Sequence, residues 1–204
     1  MNKLSRVHTA VNWNKVPDKF TMAVYEQAIK QFWIDTKFTP FADIKVWQTL
    51  SPEYQDVYMK VLGGLTLLDT EQSNVGMPSI AKDTDNLVRK TVLTNFAFME
   101  GIHAKSYSTI FTTLATREKI DRIFKWVEQH KNLQYKADKV TSYYEVDNPT
   151  LYEKYMKKVA SVFLESFLFY SGFFSPFWLA GQGMMTSSAE IISLIVRKNC
   201  GLQQ

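Results

Sequence analysis

One cysteine, Cys200, is too few for an internal disulfide, so no disulfide framework holds this chain together, and a reducing cytoplasm is its expected location. Eight glycines and six prolines are too few for an all-β protein built on tight turns, and far too few for collagen or a flexible linker. Charge of one sign is nowhere concentrated: 24 basic and 20 acidic side chains give a net charge of +4 and are interspersed. A continuous phosphate-tracking stripe is therefore missing, and nucleic acid is not an expected partner. The densest basic stretches, 131–139 and 154–158, alternate with aromatic and acidic residues and read as solvated helix faces. The first thirteen residues lack the apolar run and small-residue cleavage site of a secretory signal.

Aromatic side chains are plentiful. Fourteen Phe, ten Tyr and five Trp within 46% hydrophobic residues imply a densely aromatic interior, and 204 residues suffice for one domain with a substantial core. An all-α fold is the expectation. Residues 159–181, reading VASVFLESFLFYSGFFSPFWLAG, are long enough to span a bilayer and carry a single charge, Glu165. Hydrocarbon offers that carboxylate no partner, so a buried core helix is preferred over a membrane span.

Caps and periodicity predict six helices. The first covers about 17–33. A second opens at Ser51-Pro52, a polar cap with proline at the first helical position, and continues through Asp69 toward Gly76. The third starts near Asp83 or Asp85, places Val88, Val92, Phe96 and Met99 on one face, and runs past Tyr107 to Leu114. A fourth, about 116–130, alternates charge with Ile120, Phe124 and Val127 and reads as a surface element. Asn148-Pro149 opens the fifth, which holds the long apolar run and weakens near Pro176. After a loop at 181–183, Ser187 and Glu190 form a capping box for the sixth.

The third helix contains FMEGIHAKSY, where Glu100 and His103 stand three residues apart and Tyr107 lies one turn beyond His103. The three share a helical face. A carboxylate and an imidazole at this spacing can ligate one metal ion, and a phenol one turn away is near enough to be oxidised by it. Chance alone would supply about 0.15 such Glu/His pairs in this composition, so the motif by itself is weak. Two other apolar stretches each hold a lone acid, Asp69 in LGGLTLLDT and Glu165 in SVFLESFLF. A buried carboxylate must be protonated, paired or bound to a cation. A hydrogen-bonded core acid for Glu165 and a satisfied boundary residue for Asp69 remain open on these grounds. The order of a single acid, then Glu-x-x-His, then another single acid follows the ligands of four-helix di-metal carboxylate bundles.

These residues resemble the small, radical-generating subunit of class I ribonucleotide reductase, particularly its class Ib form. The phrases that carry the likeness are FWIDTKF with VWQTLSPEYQ, then LTLLDT, MEGIHAKSYSTIF and VFLESFLFYSGFF, and they extend from VNWNK to about Arg197. The resemblance implies a ferritin-like helical bundle in one domain over 1–204, with dinuclear manganese or iron. It implies that Asp69, Glu100 and His103 bind the first ion, with Glu165 at the second and Glu100 bridging. Tyr107 would carry the radical in an apolar pocket of Phe169, Phe173 and Ile195. Trp33 would begin the electron path from the surface. It also implies a homodimer, a large catalytic subunit as partner and a flavodoxin-like activator, in deoxyribonucleotide synthesis. Without the resemblance, Phe169, Phe173, Ile195 and Trp33 read as ordinary core residues.

The family continues R-D-E-x-x-H where this chain reads Arg197, Lys198, Asn199, Cys200, Gly201, Leu202. Asn199 stands at the carboxylate, Leu202 at the histidine, and Lys198 at the aspartate that couples tryptophan to the metal-bound histidine. The expectation is therefore an unrelated tail over 198–204 and a bundle without its last helices, through an intervening sequence, a frameshift or a split gene. A fragment that acts only with a complementary chain is the alternative of different class, and another ferritin-like di-metal oxidase is a third.

Overall fold

The computed structural model describes residues 7–201, with side chains as far as Arg197. All regular structure among them is helical, as expected. Helix α1 (Lys19–Lys30) starts at Asp18, whose carboxylate accepts the Thr21 N–H at 2.6 Å. A 3-10 turn, Pro40–Asp43, leads into the short α2 (Ile44–Thr49). Helix α3 (Pro52–Glu71) has the anticipated Ser51 cap and Pro52 at its first position. It passes without a break into a π-helical turn, Gln72–Gly76, and then α4 (Met77–Lys82).

Asn86, rather than Asp83 or Asp85, caps α5 (Leu87–Leu114), the longest helix, and Val88, Val92, Phe96 and Met99 are all buried on it. Helix α6 (Arg117–Gln129) is amphipathic and buries Ile123 and Val127. A helix outside the expected six, α7 (Lys131–Tyr144), is polar and buries only Ala137, Val140 and Tyr144. Helix α8 (Leu151–Phe163) opens not at Asn148-Pro149 but at Thr150, through a capping box with Glu153. Asn148 lies just before it in the left-handed region, at φ 49. A second π-helical turn, Leu164–Leu168, joins α8 to α9 (Tyr170–Gly181), and α10 is Thr186–Gly201.

The capping box expected from Ser187 and Glu190 is replaced by a distant group. Asp43 accepts the backbone N–H groups of Ser187 at 3.1 Å and Ser188 at 2.6 Å, and also the Ser188 hydroxyl. One carboxylate thereby satisfies two of the four N–H donors that a helix start leaves open.

Four rods form the bundle. Helix α5 runs antiparallel to α3, with Ser73 donating to the Ala97 carbonyl beyond the level where Asp69 faces Glu100. The α8–α9 rod is also antiparallel to α3, since Gly172 lies against Leu65 while Tyr54 stacks on Trp178 at 6.0 Å. Helix α10 starts beside the Tyr58 phenol, near Ser188 and Asp43, and returns parallel to α3. Their shared interior holds Tyr58, Leu62, Met99, Tyr107, Leu164, Phe169, Ile192 and Ile195. Each such apolar side chain contributes about 1.5–3 kcal/mol by leaving water. Leu151–Gly181 is long and apolar enough to cross a membrane, yet one face, with Leu164, Phe169, Phe173 and Leu179, packs into the bundle.

Candidate metal centre

Two helices contribute three donors at one level of the bundle. Asp69 comes from the last turn of α3, and Glu100 and His103 come from the middle of α5. All three are completely buried, and one donor atom from each lies within 4.8 Å of the others. His103 Nδ1 stands 2.8 Å from Glu100 Oε2. Glu165 approaches from the facing rod and is 4% exposed, but lies outside the tight trio. It sits within the π-helical turn Leu164–Leu168, where the extra residue per turn re-aims side chains.

Tyr107, one turn beyond His103, is fully buried. Burial, then the charges of Asp69, Glu100 and Glu165, push its phenol well above the ordinary tyrosine range. The ring is therefore a neutral phenol at any physiological pH. Gly172 of α9 lies against Leu65 of α3, and Leu65, Tyr107 of α5 and Ile195 of α10 belong to one buried apolar core. In that core Phe169 and Phe173 are buried and stack at 5.7 Å with their planes 13° apart. Ile195 is completely enclosed.

Trp33 is 5% exposed and stacks on His103, with ring centroids 5.9 Å apart and planes at 19°. Its indole N–H has no hydrogen-bond partner among the described residues. The substitutions read at Lys198, Asn199, Cys200 and Leu202 fall outside the described side chains.

Several residues around the centre were not anticipated. Asp35 receives Lys105 Nζ at 3.1 Å and the Thr109 hydroxyl at 3.2 Å, which ties the segment carrying Trp33 to α5. On the other side, the Tyr144 hydroxyl donates to Gln72 Oε1 at 2.8 Å, and Gln72 Nε2 donates to Ser161 Oγ at 2.6 Å. Burial and the charge of Glu165 hold the Tyr144 phenol above its ordinary range. Gly76 makes this packing possible, because a Cβ there would strike the Gln72 side chain and the Tyr144 ring. Gln72 lies one turn after Asp69 and Ser161 one turn before Glu165, so helical spacing from the two lone acids was the available signal.

Comparison with known proteins agrees with this geometry. The family pattern described as "Ribonucleotide reductase, small chain" matches residues 10–199. The subunit beta of ribonucleoside-diphosphate reductase from Bacillus subtilis (strain 168) is 47% identical over 196 residues, covering 95% of this chain and 60% of that protein. Subunit beta of reductase 2 from Escherichia coli (strain K12) is 43% identical, covering 96% of this chain and 59% of that protein. The crystal structure of dimanganese(II)-NrdF from Streptococcus sanguinis superposes with a TM-score of 0.89 at 43% identity, covering 96% of this chain and 68% of that one. This chain thus spans about 60% of the length of the curated relatives it matches. On sequence and on fold alike, the chain belongs to the ribonucleotide reductase small-chain family.

Proposed function

We propose that this chain is the radical-generating part of a ribonucleoside-diphosphate reductase, serving a separate large subunit that reduces ribonucleotides to deoxyribonucleotides. The observation that carries this reading is the buried trio Asp69, Glu100 and His103 with the enclosed phenol of Tyr107 one turn away. Carboxylates and imidazole suit manganese and iron alike. The dimanganese relative favours manganese. Asp69, Glu100 and His103 would hold the first ion, and Glu165 with a bridging Glu100 would serve the second.

Held by these residues and activated by an oxygen-derived oxidant, the metal pair would supply the oxidising power for a one-electron oxidation of Tyr107. The protein's own part is to protect and direct. Tyr107 would lose its proton as it loses its electron, and the buried carboxylates of the centre, whose charges bear on the phenol, offer the base that takes it. Phe169, Phe173 and Ile195 keep water and reductants from the neutral radical. Trp33, stacked on His103, gives the electron vacancy an outward route, with Asp35 fixing its position. The working unit would be a homodimer that meets the large subunit and a flavodoxin-like activator.

Reconstitution with manganese or iron, followed by electron paramagnetic resonance, tests the reading. Joined to the remainder of the fold, the chain should give a tyrosyl signal that Tyr107→Phe abolishes while metal still binds. Glu165 and Glu100 alone are too few for a tight second site. Residues 1–204 by themselves should therefore give no stable signal, and a persistent one would overturn that expectation.

A further inference from the structure

Amide, phenol and hydroxyl groups are costly to bury, yet Gln72, Tyr144 and Ser161 lie in the interior where α3, α7 and α8 meet, at 0%, 2% and 7% exposure. They satisfy one another. The Tyr144 hydroxyl donates to Gln72, and the Gln72 amide donates to Ser161. We propose that these three are positioning residues of the metal centre, whose hydrogen-bonded chain clamps the wall that carries Asp69 to the wall that carries Glu165. The inference rests on the reading of Asp69, Glu100 and His103 as metal ligands.

The clamp has an anchor beside each carboxylate. Gln72 follows Asp69 by one helical turn, and Ser161 precedes Glu165 by one turn. Each anchor also borders a π-helical turn: Gln72 opens Gln72–Gly76, and Leu164–Leu168 begins just after Ser161. A π turn departs from regular i to i+4 bonding, so helix regularity alone does not fix the direction of the side chains beside it. A hydrogen bond from outside the helix can.

Tyr144 is gripped at both ends. Ser79 Oγ of α4 accepts from Lys157 Nζ at 2.9 Å and donates to the Tyr144 carbonyl at 2.5 Å. The path therefore leaves α8 at Lys157, crosses Ser79, Tyr144 and Gln72, and returns to α8 at Ser161, one turn further on. A closed circuit of satisfied hydrogen bonds in a low-dielectric interior favours one arrangement of its members. Proximity to the centre has its own sign: after burial, the charges of Glu165 and Glu100 raise the Tyr144 phenol.

Manganese(II) binding to the whole chain, followed by loss of the free ion's six-line electron paramagnetic resonance signal, is the test. Gln72→Met, close in shape but without the amide, and Ser161→Ala should each weaken binding about tenfold. Ser161→Thr keeps the hydroxyl and should bind within about threefold of the native chain. The double variant with Gln72→Met and Ser161→Ala should lose no more than Gln72→Met alone, because both break one link. Ile123→Ala, at a buried position of α6 beside Gly63, should lower the urea midpoint and leave the ion's affinity unchanged. Binding by Gln72→Met and Ser161→Ala within about twofold of native overturns the clamp and leaves the ligands in place. Additive losses in the double variant overturn it too, as does a threonine variant as weak as the alanine one. An equal loss in Ile123→Ala also overturns it, since binding would then follow stability alone. If the native chain takes up no manganese, the ligand reading itself fails and the positioning role with it.

Discussion

Trp33 lies almost parallel to His103, 19° between planes and 5.9 Å between ring centres, although seventy residues separate them. The contact is held from one side. Asp35, two residues beyond Trp33, reaches Lys105 and Thr109 on the same helix as His103. Lys105 is 66% exposed, so the ion pair alone is worth little, and the clamp's effect is on position. Asp35→Ala should cost about 1 kcal/mol or less in urea denaturation. It should raise acrylamide quenching of Trp33, read as the emission lost on further replacing Trp33 by Phe. Unchanged quenching would show that packing alone holds the indole.

Lys157 is 2% exposed and pairs with Asp83 at 3.3 Å, with a hydrogen bond to Ser79 at 2.9 Å. Removing one partner of a buried pair strands the other charge, at a cost of about 3–5 kcal/mol. Asp83→Asn should destabilise the chain by about 3 kcal/mol. Lys157→Met combined with Asp83→Asn should recover a large part of that loss. A double-mutant cycle in urea measures the coupling, and strict additivity would show that the two charges do not depend on each other.

The site was more legible in the sequence than the details of the frame around it. Glu-x-x-His and a tyrosine one turn on are local facts of a helix, and a lone acid in an apolar run stands out at once. Asp69, Glu100, His103 and Tyr107 could therefore be read from spacing and burial together. Trp33 could not: its contact with His103 crosses seventy residues, and only a family resemblance singled it out. The cap of α10 failed for the same reason. Ser187 and Glu190 satisfy the local pattern, but Asp43, 144 residues away, reaches those N–H groups first. Helix α7 escaped because its polar sequence has few apolar positions to mark a face. The π-helical turn at Glu165 has no sequence mark that periodicity detects, yet it sets where that carboxylate points.

Asp18 supplies the pH dependence that can be assigned. The Arg89 side chain and then the Thr21 N–H hold its carboxyl at about 2, below the ordinary 3.8. A depressed carboxylate favours the folded state while ionised. Its contribution is present above about pH 4 and disappears as pH falls through about 2. Carbon-detected NMR titration should find the Asp18 midpoint near 2. Arg89→Gln should raise that midpoint toward the ordinary value but not fully, because Thr21 still donates. A midpoint near 3.8 in the native chain would mean that Arg89 is not engaged.

Two glycines of α9 should respond oppositely to alanine. Helix propensity favours alanine over glycine by about 1 kcal/mol in a helix, so the sign is set by what a new Cβ meets. At Gly181 nothing lies within 4 Å, and Gly181→Ala should stabilise by about 0.5–1 kcal/mol. At Gly172 the Cβ would fall 2.5 Å from Leu65 Cδ2 and 3.0 Å from its Cγ. Leu65 is 3% exposed and has no space to retreat, so the overlap spreads α3 from α9. Overpacking of this kind costs about 1–3 kcal/mol, which outweighs the propensity gain. The same separation would loosen the buried core to which Leu65, Tyr107 and Ile195 belong. Gly172→Ala should therefore unfold at lower urea and also speed hydrogen exchange at the amides around Tyr107, an effect that Gly181→Ala should not produce. Equal urea midpoints for the two variants would show that the α3–α9 contact has slack at Leu65.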